Sequence, residues 1–184
     1  GESDQEYKGV VSKKKRVHLG FEITEAVDPS NNTVMMEDGR PFGAFKTYTA
    51  SLFEAATLRK DIESWRGKSL TEEEIDSFDM DNLIGCTAKI EIGLTKKSDF
   101  GEGGNPKIMA LREPKDGIKK VETHNDIVLF DIDVYCAEFT GNSSEETKAM
   151  CDVFESLNDW HKRDIEASYQ WMAAQQKFED TLPF

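Results

Sequence analysis

The sequence predicts an α+β protein, mainly β with helices: a five-stranded OB-fold barrel with an inserted helix, then an extra strand and a long C-terminal helix. Two observations carry this expectation. Between residues 17 and 112, short alternating segments and one amphipathic segment follow the order β-β-β-α-β-β. Beyond them, Ile127 to Phe139 is apolar with interspersed acids, and Ser143 with Glu146 opens a long helical pattern.

The elements follow in order. Residues 1–12 are polar and predict a flexible N-terminal arm. From Val17 to Thr24, Val17, Leu19, Phe21 and Ile23 share one face, with Arg16, His18, Gly20 and Glu22 on the other. Asp28 to Asn32 is a turn cluster, Thr33 to Met36 a short second strand, and Asp38-Gly39 a hairpin signal. Phe42 to Leu52 is rich in aromatics and Thr and predicts the third strand. Ser51 with Glu54 predicts a helix start. Leu58, Ile62 and Trp65 give that helix an apolar stripe, and Gly67 suits its C-terminal end. Thr71 with Glu74 predicts a second, short helix. Thr87 to Leu94 and Lys107 to Arg112 predict the last two barrel strands, joined by a glycine-rich loop. Residues 115–126 are polar and linker-like. Met150, Val153, Phe154, Leu157 and Trp160 predict the apolar face of one long helix, which Ile165, Trp171 and Met172 extend. The expected division is therefore 1–12, an OB-fold domain over 13–139, and an acidic helical arm with a tip over 140–184.

Charge is unevenly spread. The 184 residues carry a net charge of −13. Residues 122–184 hold 14 acidic and 4 basic side chains, a net of −10, which leaves −3 for residues 1–121. A nearly balanced body can present a local basic face while an acidic arm hangs from it. Cys86, Cys136 and Cys151 are odd in number and widely spaced, which predicts buried thiols in a reducing cytoplasm. The polar start lacks the apolar core of a signal peptide, and no apolar run reaches the length of a membrane span, so no membrane association is expected. His18, His124 and His161 have no zinc spacing, and no P-loop or nucleophile elbow is present. Asp131 and Asp133 share a face of the strand expected there, but spacing identifies no third ligand. The expectation is a chain with no catalytic residues, no metal and no cofactor.

Several segments resemble a known family. The residues are Asp38-Gly39-Arg40-Pro41-Phe42, Lys46 to Leu52, Leu58-Arg59-Lys60-Asp61-Ile62-Glu63-Ser64-Trp65-Arg66-Gly67, and Asp81 to Gly85. The stretch from Lys13 to about Pro114 resembles tailed-phage OB-fold single-stranded DNA-binding proteins. The resemblance implies a non-enzymatic bacteriophage protein that binds single-stranded DNA with little sequence preference during replication, recombination or repair. The end, Glu179 to Phe184, resembles the acidic Pro-Phe tip of bacterial single-stranded DNA-binding proteins. That second resemblance implies partner docking by Asp180, Leu182, Pro183 and Phe184, with replication or recombination proteins as partners. The tip has fewer acids than is usual there, and a helical arm stands where those proteins have a glycine-rich linker.

Sequence-tolerant binding needs cations for phosphates and aromatic faces for bases. The candidates are Lys13, Lys14, Lys15, Arg16 and His18 at the first strand, and Arg40, Phe42, Lys46 and Tyr48 along one face of the third. Lys96, Lys97 and Phe100 in the glycine-rich loop, with Lys107 and Arg112 on the last strand, complete the set. Phe45, on the other face, reads as core. Phe42 and Tyr48 equally suit a barrel interior, and the Lys13 to Arg16 run equally suits a solvated strand entry. Two roles stand open for the arm: docking partners, or folding over the groove to compete with DNA. Its Met150 to Trp160 face also suits a homodimer. The rival reading is an acidic interaction or anti-defence module that mimics DNA and binds a host protein.

Overall fold

A computed structural model describes residues 2–7, 10–27, 33–34, 36–37, 39–95 and 106–181. The protein is α+β and divides into two compact units, Gly1–Val17 with Val128–Phe184, and His18–Ile127. This division differs from the expected 13–139 and 140–184. The strands are β1 (Glu2–Tyr7), β2 (Val10–Ile23), β3 (Ala26–Val27), β4 (Thr33–Val34), β5 (Phe42–Thr49), β6 (Lys89–Leu94) and β7 (Pro106–Arg112). The helices are α1 (Thr57–Arg66), α2 (Glu72–Asp76), α3 (Ile132–Phe139), α4 (Glu145–Ser156), α5 (Asp159–Glu166) and α6 (Tyr169–Thr181). Among the described residues the strands form a sheet of order β1-β2-β5 and two hairpin pairs, β3-β4 and β6-β7, without closing into a barrel. No described helix is long and apolar enough to cross a membrane.

In the His18–Ile127 unit, Phe21 of β2 packs against the cluster of Trp65, Ile108 and Leu111. Phe21 turns inward and meets Trp65 edge-on, with ring centroids 5.8 Å apart. Leu58, Ile62 and Trp65 bury the stripe of α1, and Gly67 ends that helix in the left-handed region at φ 68°. The helix starts later than Ser51 and Glu54 suggest. Ser51 Oγ instead accepts from the Phe53 N–H at 3.2 Å, making a local turn, and Ala56 caps α1 without a side-chain bond. Trp65 Nε1 donates to the Thr87 carbonyl at 2.7 Å, so its burial leaves no orphan donor.

On β7, Ile108 and Leu111 are both 1% exposed although they are three residues apart. Met109 explains this. Glu91 pairs with Ala110 and Ile92 with Ile108, so Met109 is an extra residue that shifts the alternation by one. Residues 115–126 are more ordered than a linker. Thr87 N–H donates to Lys119 O at 2.8 Å, and Val121 N–H to Gly85 O at 3.0 Å. The Glu22 carboxylate accepts from the backbone N–H of His124 and Asn125, each at 2.8 Å. Partial burial acts to raise the Glu22 pKa, but these hydrogen bonds outweigh it and hold the group below its ordinary range.

Thr71 and Glu74 form the expected capping box, and Arg66 bonds Glu74. The Arg66 hydrogen bond, and then that from the Thr71 N–H, hold the Glu74 carboxyl at about 2, against 4.5 for the ordinary group. Its stabilising contribution is therefore complete above pH 4.5 and is lost as pH falls toward 2. Glu74→Gln keeps the box but removes the charge. Thermal melts across that window should show a shallower acid loss for the variant than for the parent. Parallel pH curves would rule out this role for Glu74.

The other unit corrects four expectations. Residues 2–7 are not a loose arm: β1 pairs antiparallel with β2, from Glu2 opposite Lys15 to Tyr7 opposite Val10. Ile127 to Phe139 is not a strand. Asp131 Oδ1 accepts from the Asp133 and Val134 N–H groups and starts α3, whose Ile132, Tyr135 and Cys136 are buried on one face. The following cap is Ser144 with Thr147, one residue later than Ser143 with Glu146; Ser143 Oγ instead donates to Glu138 at 2.8 Å. The single long helix is three helices. Leu157 is extended at ψ 151°, Asn158 caps α5, and Ser168 Oγ accepts from the Trp171 N–H as α6 begins. Met150, Phe154 and Leu157 belong to the unit's own core with Tyr135 and Ala174, whereas Trp160 of the same expected face is exposed.

Candidate nucleic-acid interface

The outer face of β2 and β5 holds the most site-like geometry in the His18–Ile127 unit. His18 Nδ1 lies 2.9 Å from Thr47 Oγ1. Two residues further along β2, a Cβ at Gly20 would lie 2.8 Å from Cε1 of Phe45. As β2 advances its neighbour on β5 steps back, which is antiparallel pairing. A Cβ at Gly43 would lie 3.7 Å from Cε2 of the same ring. The Phe45 ring thus lies across two glycines and stays 50% exposed. A half-exposed aromatic ring on a strand surface is the kind of side chain that base stacking uses.

Beside it runs an open groove of about 480 Å³. Phe45, Lys46, Thr47, Tyr48 and Thr49 line it in succession, so it follows the edge of β5; Thr57 of α1 and Lys107 of β7 complete it. Three threonines and two lysines give it donors suited to phosphate oxygens.

The residues of β5 expected to meet DNA divide, with Arg40 and Phe42 exposed and Tyr48 taking the alternative interior position. Tyr48 is 3% exposed and cannot stack on a base. Its hydroxyl donates to Asp61 Oδ2 at 2.9 Å. Burial first, and then that bond, push the hydroxyl well above the phenol range, so it remains a donor. Lys46 Nζ sits 2.6 Å from the same Asp61 oxygen, with side chains 12% and 15% exposed. The Lys46 ammonium is thus already compensated. Phe45, read as core, is instead the exposed ring. A strand's period of two makes these alternatives one residue apart.

The other candidates are scattered. Lys13 lies in β2 opposite Asp4, and its side chain is outside the described residues. Lys14 is half-buried, Lys15 exposed, and Arg16 lies 3.8 Å from Asp164. Arg40 and Phe42 are exposed around the start of β5. Arg112 bonds Glu91 at 3.2 Å, while Lys107 is exposed and lines the groove. Lys96, Lys97 and Phe100 lie outside the described residues. Asp180 falls in α6 with its side chain undescribed, and Leu182, Pro183 and Phe184 lie outside the described residues. The groove adds Phe45, Thr47, Thr49 and Thr57 to the candidates expected from the sequence. The signal that points to Phe45 is the pair Gly20 and Gly43, glycines inside strands where something must approach closely.

Asp131, considered as a metal ligand, is used as a helix cap. Among the described residues no three His, Cys, Asp or Glu side chains gather as a metal site. No family model, curated protein or solved structure matches the chain.

Proposed function

We propose that the protein binds single-stranded DNA, largely without sequence preference, along the outer face of β2 and β5 and the adjoining groove. The observation that carries this reading is the Phe45 ring, half-exposed in the space left by Gly20 and Gly43 and lining the same groove as Lys107. It offers a stacking surface next to a cation, the pair of features that sequence-tolerant single-strand binding needs. The proposal includes an OB barrel as the underlying fold. The order of β2, β5, α1, β6 and β7 supports it, as does the packing of β7 against both β5 and α1. The setting is DNA replication, recombination or repair, as the family resemblance implies.

The test is titration of fluorescent oligo-dT and of duplex at several salt concentrations. The single strand should bind more tightly, with log K falling as log salt rises. Phe45→Ala should weaken oligo-dT binding by about 1–3 kcal/mol, roughly 5- to 150-fold in Kd. Preference for duplex, or an alanine variant that binds like the parent, contradicts the proposal. Absence of binding even at low salt favours the acidic mimic instead.

A further inference from the structure

The groove along β5 contains two lysines in different electrostatic states. Lys46 is held at 2.6 Å by Asp61, and the pair is largely shielded from water. Lys107 is exposed and lines the same groove, together with Thr47, Thr49 and Thr57. A phosphate entering here meets one net positive charge and three hydroxyls. The second ammonium is neutralised by a carboxylate on α1.

We infer that this groove is a single-phosphate subsite in which Lys107 is the working cation and Asp61 withholds the charge of Lys46 from the strand. The inference rests on the single-strand reading above and adds which backbone contact the groove makes. Asp61 is the specific element. It satisfies the Tyr48 hydroxyl at 2.9 Å as well as Lys46, so it is anchored from two sides and does not swing away when a phosphate arrives. The phosphate would have to displace a carboxylate already bonded to Lys46, and the nearby Asp61 charge would repel it. Lys107 gains a phosphate partner without breaking any such pair. The groove therefore limits the electrostatic part of binding, which keeps the strand mobile on the surface.

Salt dependence reads this directly, because each phosphate neutralised on a single strand contributes about 0.7 to the slope of log K against log salt. The probe is oligo-dT. Lys107→Gln should reduce the slope by about 0.7. Asp61→Asn keeps a hydrogen-bond acceptor near Tyr48 but frees the Lys46 charge, so it should tighten binding and steepen the slope by about 0.7. Lys46→Gln combined with Asp61→Asn should remove that gain. Phe45→Ala should weaken binding with its slope intact. Measurements are made where melts show each variant folded. If Asp61→Asn proves too unstable, Lys107→Gln still decides the subsite. A parent that binds oligo-dT with a slope that Lys107→Gln leaves unchanged overturns the subsite alone. A gain in the Asp61→Asn variant that survives loss of Lys46 overturns the withholding role. A parent that does not bind oligo-dT overturns the single-strand reading and the subsite with it.

Discussion

Tyr135→Ala should destabilise the helical unit by about 3–5 kcal/mol, the range for removing a large buried aromatic ring. Tyr135 is the centre of that unit's core. Its ring stacks on Phe154 at 4.7 Å and on Trp171 at 5.2 Å, and meets Phe139 edge-on at 5.3 Å. Each such pair adds about 0.5–1.5 kcal/mol beyond simple burial. The residue ties α3 to α4 and α6 at once, so its loss leaves a cavity that no single helix can close by shifting. Tyr135→Phe keeps the ring and should retain most of the stability. Denaturant titrations followed by circular dichroism check both. A loss below about 1 kcal/mol for alanine would mean that the neighbouring rings collapse into the space, and that Tyr135 is not the keystone of the cluster.

Asp61→Ala should cost the other unit about 3 kcal/mol, because it strands two groups together. Lys46 loses its counter-ion in a place where its side chain is 12% exposed, and the buried Tyr48 hydroxyl loses its acceptor. The cost comes from leaving these groups unpaired more than from the strength of the ion pair itself. Replacing all three together, with Lys46→Met, Tyr48→Phe and Asp61→Leu, should therefore recover most of the loss. The urea midpoint should fall for the single variant with little change in slope, and rise again for the triple. A triple variant as unstable as the single one would show that the site depends on the ion pair for its shape.

The parts of the fold that were legible are those where one segment decides its own structure. The stripe of α1, its Gly67 end and the Thr71 capping box each depend on residues within one turn of one another. The parts that were not legible depend on a partner. β1 has a polar sequence that suits an arm, and it becomes a strand by pairing along β2, from Glu2 opposite Lys15 to Tyr7 opposite Val10. α3 was read as a strand because eight apolar and acidic residues satisfy both periods. Asp131 decides the matter as a cap, and the face that Tyr135 and Cys136 share then packs against α4 and α6. The site followed the same rule. Phe42, Lys46 and Tyr48 alternate as convincingly as Phe45 and Thr47 do. Asp61, which approaches from α1, shows that Lys46 and Tyr48 turn inward, while Phe42 at the start of the strand stays exposed.

The contact between Gly20 and Phe45 ties together two positions that lie 25 residues apart in the chain. They occupy one shared volume. While position 45 carries a ring, position 20 has no space for even a methyl group unless the ring tilts. Bulk added at position 20 therefore displaces the ring at position 45. The surface can trade a flat ring for a bare glycine floor, or a side chain at 20 for a smaller one at 45, but it cannot enlarge both.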